Sequence, residues 1–346
     1  MKKQKYVLNL LLILALTVFA LWFALKDNYR QVLNCISKMN IASLVVVLLW
    51  GVLFTAIWGL VYFVLGKKYT KGYTPAKGIV VAFIGSFFSG ITPSSTGGQF
   101  VQAYIMKKQG IKVSDGASLL WADFIIYQTT MMVYVTILFI LRFGYYSAQS
   151  AWFNIILLGY IINAIVVIAL YTIALFPKVY IKLSRVLVRI LAKIHILKHP
   201  EKTLDSWTLQ VTSFTKEIKH LSKDKKSILI CVLINFVRLS LYYSLPFVIA
   251  LALHIPLKMN EFVDVMALSS FVTMANSFIP IPGASGGTEV VFALLFGSLM
   301  KDLTGAVLVL WRFSTYHIVL IIGGILFVLV KNYYERKESK IDLEGM

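Results

Sequence analysis

"TPSSTGGQF", residues 92–100, is a polar, glycine-rich patch between two apolar runs. "IPGASGGTEV", residues 281–290, repeats its pattern near the other end of the chain. Both place a proline, three residues and a Gly-Gly pair: Pro93…Gly97-Gly98-Gln99 and Pro282…Gly286-Gly287-Thr288-Glu289. The fold turns on what these patches are. They are either loops between complete membrane crossings or the tips of hairpins that reverse inside a bilayer.

That a bilayer is involved follows from composition. Of 346 residues, 59% are hydrophobic, against about 45–50% in soluble domains. The formal net charge of +19 is carried by residues flanking the apolar runs. That placement points to topology and anionic lipid, and no pattern of a nucleic-acid-binding fold accompanies it. Cys35 and Cys231 lie far apart, and His195 and His199 have no acidic or cysteine neighbour, so neither a disulfide framework nor a metal site is expected. The opening "MKKQK" and apolar residues 6–25 lack a small-x-small cleavage site and read as an uncleaved first membrane helix.

Full-length apolar spans are expected at 6–25, 41–65, 117–142, 152–176, 227–252 and 304–330. Each can cross about 30 Å of hydrocarbon at about 1.5 Å per residue. Two further regions, 78–108 and 262–300, contain the two motifs. With the N-terminus inside and each motif region returning to its own side, inner segments hold 26 of the 34 Lys and Arg, outer segments hold six, and Arg238 and Arg312 lie within spans. Reading 78–108 as one crossing would put a loop of 12 positive charges outside. Its arms, 78–92 and 97–108, reach only about 22 and 18 Å as helices, and 286–300 about 22 Å. The arm 262–280 is long enough to cross fully.

Two units emerge, about 41–142 and 227–330, each a span, a hairpin and a span. The first hairpin enters from the inside and the second from the outside, which is an inverted-topology repeat of the kind transporters use around a midplane site. The expected fold is an all-α polytopic membrane protein, with about six full spans, two re-entrant broken-helix hairpins and both termini cytoplasmic. It forms one domain over 1–346, with a basic inner segment at 178–226. Irregular backbone at membrane depth is tolerated where it is buried in protein or lines a cavity. Each Gly-Gly starts an outgoing half-helix, whose N–H groups and positive dipole end suit an anion. The candidate substrate-binding residues are therefore Pro93, Ser95, Thr96, Gly97, Gly98, Gln99 and Gln102 in the first region, and Pro282, Ser285, Gly286, Gly287 and Glu289 in the second. The plainer reading stays beside this one. Thr96-x-x-Gln99 is a capping box, and Glu289 complements a helix dipole.

Charged residues inside spans complete the set. Charges at the bilayer centre cost roughly 2.5–3.5 kcal/mol each even on the lenient insertion scale, so they seek partners. Arg238 lies about 17 Å from the inside, while Arg312 and Glu289 lie about 12 and 16 Å from the outside. These three can share one level, with Glu289 pairing either arginine, and the excess positive charge favours an anionic guest. Asp123, about 9 Å deep, can simply be hydrated. The stretch 178–197 alternates basic and apolar residues as a basic amphipathic helix for the inner surface, serving as a connector or recruiting anionic lipid or a partner enzyme. No G-x-x-x-x-G-K-[ST], G-x-S-x-G or H-E-x-x-H occurs, so neither a nucleotide-driven engine nor a hydrolase or metalloprotease site is expected in this chain.

The stretches "ITPSSTGGQFVQAYIMKKQGI" and "SFIPIPGASGGTEVVFALLF" resemble the paired signatures of the lysylphosphatidylglycerol synthase transmembrane-region family. This flippase-like family is related to the membrane part of the multiple peptide resistance factor. Arg312 in "WRFSTY" and Asp123 in "WADFIIYQ" fall where that family tends to carry such residues. The resemblance implies translocation of an aminoacylated phosphatidylglycerol or another modified anionic lipid across the cytoplasmic membrane, contributing to envelope charge and resistance to cationic peptides. The alternatives are a phosphatidylglycerol lysyltransferase, or its membrane half, and a scaffold for a lipid-modifying enzyme. The soluble aminoacyltransferase domain of the full-length factor has no counterpart here, so the chain is not expected to act as an enzyme by itself. The expected partners are membrane phospholipid, a separate lipid-modifying enzyme and a second copy of the chain, with no cofactor or metal. The first motif carries Gln99 and Gln102 where many members are charged, so the two hairpins are electrostatically unequal.

Overall fold

A computed structural model describes residues 30, 33–34, 37, 39–92, 96–144, 150–193, 199–221, 223–276, 282–284 and 286–344. The expected span 6–25 lies outside the described residues. Every regular element among them is helical. The helices are α1 (Ile41–Gly66), α2 (Pro75–Ile91), α3 (Thr96–Lys108), α4 (Val113–Leu141), α5 (Ser150–Leu175), α6 (Pro177–Lys193), α7 (Pro200–Leu221), α8 (Lys225–Ala252), α9 (Phe262–Asn276), α10 (Gly287–Met300), α11 (Thr304–Arg312) and α12 (Ile318–Glu344). A π-helical turn, Phe313–His317, joins α11 to α12. Five stretches are long and apolar enough to cross a membrane: Ile41–Gly66, Val113–Leu141, Ile156–Ile173, Lys225–Ala252 and Gly287–Arg336, the last turning at Lys301, whose φ is 48°. The protein is an all-α polytopic membrane protein.

Short polar residues start α1, α2 and α8. Asn40 accepts from the Ala42 amide at 2.9 Å, Thr74 from Lys77 with Pro75 at the first helical position, and Asp224 from Ser227 at 3.0 Å. These side chains take up amides that a helix start leaves unpaired. Within α8, Pro246 removes one backbone donor, and near the break the Leu241 carbonyl accepts from Trp50 Nε1 at 2.7 Å.

The first motif region is a hairpin. Gln109 Nε2, just past α3, donates to the Lys77 carbonyl near the start of α2 at 3.1 Å, so both arms open at the same end. That end also carries the Lys68–Asp224 ion pair. At the opposite end Arg142 pairs with Asp264 at 2.9 Å and donates to the Asn260 carbonyl at 2.6 Å. In the second region α9 ends at Asn276, about 22 Å long, so its described helix is shorter than the full crossing allowed for 262–280.

The helix pairings of one motif unit recur in the other. As α1 lies along α2, α8 lies along α9; as α2 lies against α12, α9 lies against α4; as α3 folds onto α4, α10 folds onto α11. Helices α1 and α8 pack on each other at the centre. The core divides into two apolar clusters. One gathers Val61, Leu65, Leu119, Ile126 and Cys231, the other Val47, Val135, Leu239, Phe292 and Trp311. The buried charged side chains that concern function are Asp123 on α4, Arg238 on α8 and Arg312 at the end of α11.

Candidate functional site

The two glycine-rich tips meet on one side chain. Tyr316, in the π turn, donates its hydroxyl to the Gly90 carbonyl at 2.9 Å, at the end of the first hairpin's inbound arm. Its ring also presses on Gly283 of the second tip, where an added Cβ would stand 2.5 Å from the ring. Gly283 has φ 61°, a left-handed conformation that glycine adopts at little cost. The π turn itself is seated on α1: the Gly51 amide donates to Ser314 Oγ at 3.1 Å, and Ser314 donates to the Val47 carbonyl. A π turn adds a residue to a helix and re-aims the side chains around it, and such turns are frequent at functional sites.

Arg312 precedes that turn and holds the second tip. Its Nη2 donates to the Gly283 carbonyl at 2.9 Å, its Nε pairs with Glu289 Oε1 at 3.2 Å, and its guanidinium lies 4.7 Å from the centre of the Tyr316 ring. The other carboxylate oxygen of Glu289 accepts from the Gly286 amide at 2.6 Å. Glu289 thus caps its own helix and pairs Arg312 at once. The arginine side chain is 10% exposed and the glutamate 30%, so the pair is reachable from the carboxylate side.

Asp123 and Arg238 form a second centre among α1, α4 and α8. Trp58 joins them. Its Nε1 donates to both Asp123 oxygens, at 3.3 and 3.0 Å, and its ring lies 4.6 Å from the Arg238 guanidinium. Phe54 and Tyr127 complete an aromatic box around that guanidinium, at 4.6 and 4.9 Å, a favourable setting for a desolvated cation. Tyr62 hydrogen-bonds Asp123 as well, and Gln102 of the first hairpin donates to the Tyr62 hydroxyl at 2.8 Å.

These positions bear on four expectations. Arg238 does not share a centre with Arg312 and Glu289. Asp123 is 6% exposed, held by aromatic donors rather than hydrated. With Asp123 opposite Arg238 and Glu289 opposite Arg312, the surplus of positive charge disappears. Gly98 is a close contact between the hairpin arms: a Cβ there would meet Ser89 Oγ at 1.9 Å and the Gly85 carbonyl at 2.8 Å. The first helix start is capped from across the turn, Gly97 donating to Thr92 Oγ1 at 2.9 Å, while Gln99 is exposed. Gly286 has open space around it, with φ 86°. Gly287 begins α10 half-buried. Pro93, Ser95 and Ser285 lie outside the described residues, as do the side chains of Thr96 and Pro282.

Sequence reasoning missed Tyr316, Trp58, Tyr62 and Tyr127. Each is an amphipathic aromatic residue within an apolar span, and in a chain with 18 tyrosines and seven tryptophans nothing local sets these apart.

Sequence comparison gives the family. Residues 7–323 match the family described as Lysylphosphatidylglycerol synthase TM region. The chain belongs to this family. The lysylphosphatidylglycerol synthase transmembrane-region match spans both hairpins and both charged centres and ends within the first turns of α12. A UPF0104 membrane protein of Archaeoglobus fulgidus is similar as well, 25% identical over 312 residues, which cover 88% of this chain and 92% of that protein.

Proposed function

We propose that the protein moves a phospholipid between the leaflets of the cell membrane, and that the Arg312–Glu289 pair at the hairpin tips is where the headgroup passes. The observation that carries this reading is the meeting of both tips at Tyr316 and Arg312. Irregular backbone from two separate hairpins is brought to one exchangeable ion pair, and that is the kind of place where a polar headgroup finds partners inside hydrocarbon. A phosphate takes Arg312 from Glu289, and a cationic group on the same headgroup takes the freed carboxylate. Because the pair is neutral, a headgroup bearing both phosphate and amine exchanges with it without leaving an uncompensated charge. Phosphatidylglycerol esterified with a neutral amino acid is such a lipid; the lysyl form in the family's name carries a second ammonium, which stays outside this exchange. The units 41–142 and 227–330 act in this reading as an inverted repeat whose rocking exposes the site to each leaflet in turn.

The test is leaflet exchange in liposomes. The purified chain should accelerate exchange of a fluorescent aminoacylated phosphatidylglycerol over empty liposomes. Glu289→Gln and Arg312→Gln should each abolish exchange while the proteins still insert and elute as single species. Exchange no faster than in empty liposomes, across phosphatidylglycerol, phosphatidylethanolamine and aminoacylated lipids, sinks the reading. Full exchange by both variants shows that the pair only braces the fold.

A further inference from the structure

A groove lies outside the paired centres, between α3 and α4. On α3, Gln99, Ala103 and Lys107 recur every four residues, and on α4 so do Val113, Ala117 and Trp121. Residues four apart stand above one another on a helix face. The two rows border a cavity of about 400 Å³. An alanine stands at the middle of each row, and larger side chains stand at the ends. Behind the groove the helices are in contact, since a Cβ at Gly116 would reach Ala103 Cα at 4.0 Å. Phe100 and Tyr104 form its outer lip and are 78% and 43% exposed, an apolar edge suited to hydrocarbon.

The polar groups of this groove are placed at its two ends. Lys107 marks the end where Gln109 closes the hairpin base, with Lys108 and Lys112 beside it in the chain. Gln99 marks the other end, at the hairpin tip. The helical rise between them is about 12 Å, close to the roughly 15 Å half-thickness of the hydrocarbon core. The groove therefore runs from a basic rim to bilayer depth, and its one charged lining residue is cationic. A lipid standing in one leaflet has the complementary layout, with phosphate at the rim and an acyl chain directed inward.

We propose that this groove holds one phospholipid of the leaflet on the hairpin-base side, its phosphate on Lys107 and one acyl chain between Ala103 and Ala117. Resting on the translocation reading, it is the position from which a headgroup reaches the tip through Gln99. Phosphatidylglycerol is the probe, because its phosphate stands without a competing amine. The full chain is exchanged into phosphatidylglycerol nanodiscs, and retained lipid is counted by native mass spectrometry. Wild type should keep one phosphatidylglycerol. Ala117→Trp, which fills the groove, should lose it. Lys107→Gln should keep it roughly tenfold less well, the loss of one charge-assisted hydrogen bond. Retention unchanged in both variants overturns the proposal, as does wild-type protein that carries no lipid. If Ala117→Trp fails to fold, the Lys107→Gln titration decides alone. Retention as expected without leaflet exchange upholds the groove and sinks the translocation reading, so the two failures are distinguishable.

Discussion

Tyr316 donates to the Gly90 carbonyl at 2.9 Å, and these residues stand 226 positions apart in the chain. Through this bond the helix that carries Arg312 also holds the tip of the first hairpin. Tyr316→Phe keeps the ring against Gly283 and removes only the hydroxyl. It should lower stability by about 1 kcal/mol, the usual net worth of a hydrogen bond, and lower lipid exchange far more than that loss of folded protein explains. Thermal unfolding in detergent beside the liposome assay separates the two effects. Equal, small changes in both would mean that the bond does not couple the tips.

Gly98 makes its contribution through the approach of the hairpin arms. Gly98→Ala should destabilise by about 1–3 kcal/mol, the ordinary cost of overfilling a tight contact. Adding Ser89→Gly removes the nearest obstacle and should recover much of that loss, along with lipid exchange. A double variant that regains stability but not exchange would return Gly98 to the role of a ligand contact.

Asp123 and Arg238 are both below 10% exposed. Asp123→Asn leaves a buried guanidinium without its counter-charge and should cost about 3–5 kcal/mol. Trp58→Phe keeps a ring face for Arg238 but removes the donor to the carboxylate, and should fall between that variant and wild type. A double-mutant cycle on melting temperature reads the coupling. Additive losses would show that Trp58 does not join the pair.

Asp224 lies outside the membrane spans. The Lys68 ammonium, by hydrogen bonding, and then the Ser227 amide hold its carboxyl well below the usual carboxylate range. A depressed carboxylate contributes stability above its unfolded value, about 4, and that contribution is lost as pH falls through the folded value. Wild type and Asp224→Asn should therefore differ modestly in melting temperature at pH 7, keep that difference to about pH 5, and converge in more acidic buffer. Because the pair is exposed, high salt should shrink the difference. A difference that grows on acidification would contradict the assignment.

Sequence by itself determined the spans, because bilayer thickness sets their length and burial in hydrocarbon makes them uniformly apolar. Four of the six expected spans coincide with described helices to within a few residues; the expected span 304–330 is divided among α11, the π turn and a longer α12, and 6–25 lies outside the described residues. The hairpin over 78–108 was also legible, since charge counting and the shortness of its arms oppose a single crossing. The motif glycines announced themselves by their repetition. Tertiary structure alone decided their partners. Glu289 had two arginines within reach by depth, and depth is one coordinate; choosing Arg312 over Arg238 requires knowing which faces of α8, α10 and α11 meet. The same holds for Asp123, whose burial depends on Trp58, Tyr62 and Arg238 arriving from two other helices. The π turn at Phe313–His317 leaves no mark in hydropathy, yet it follows Arg312 directly and contains Tyr316, the contact that draws the two motifs together.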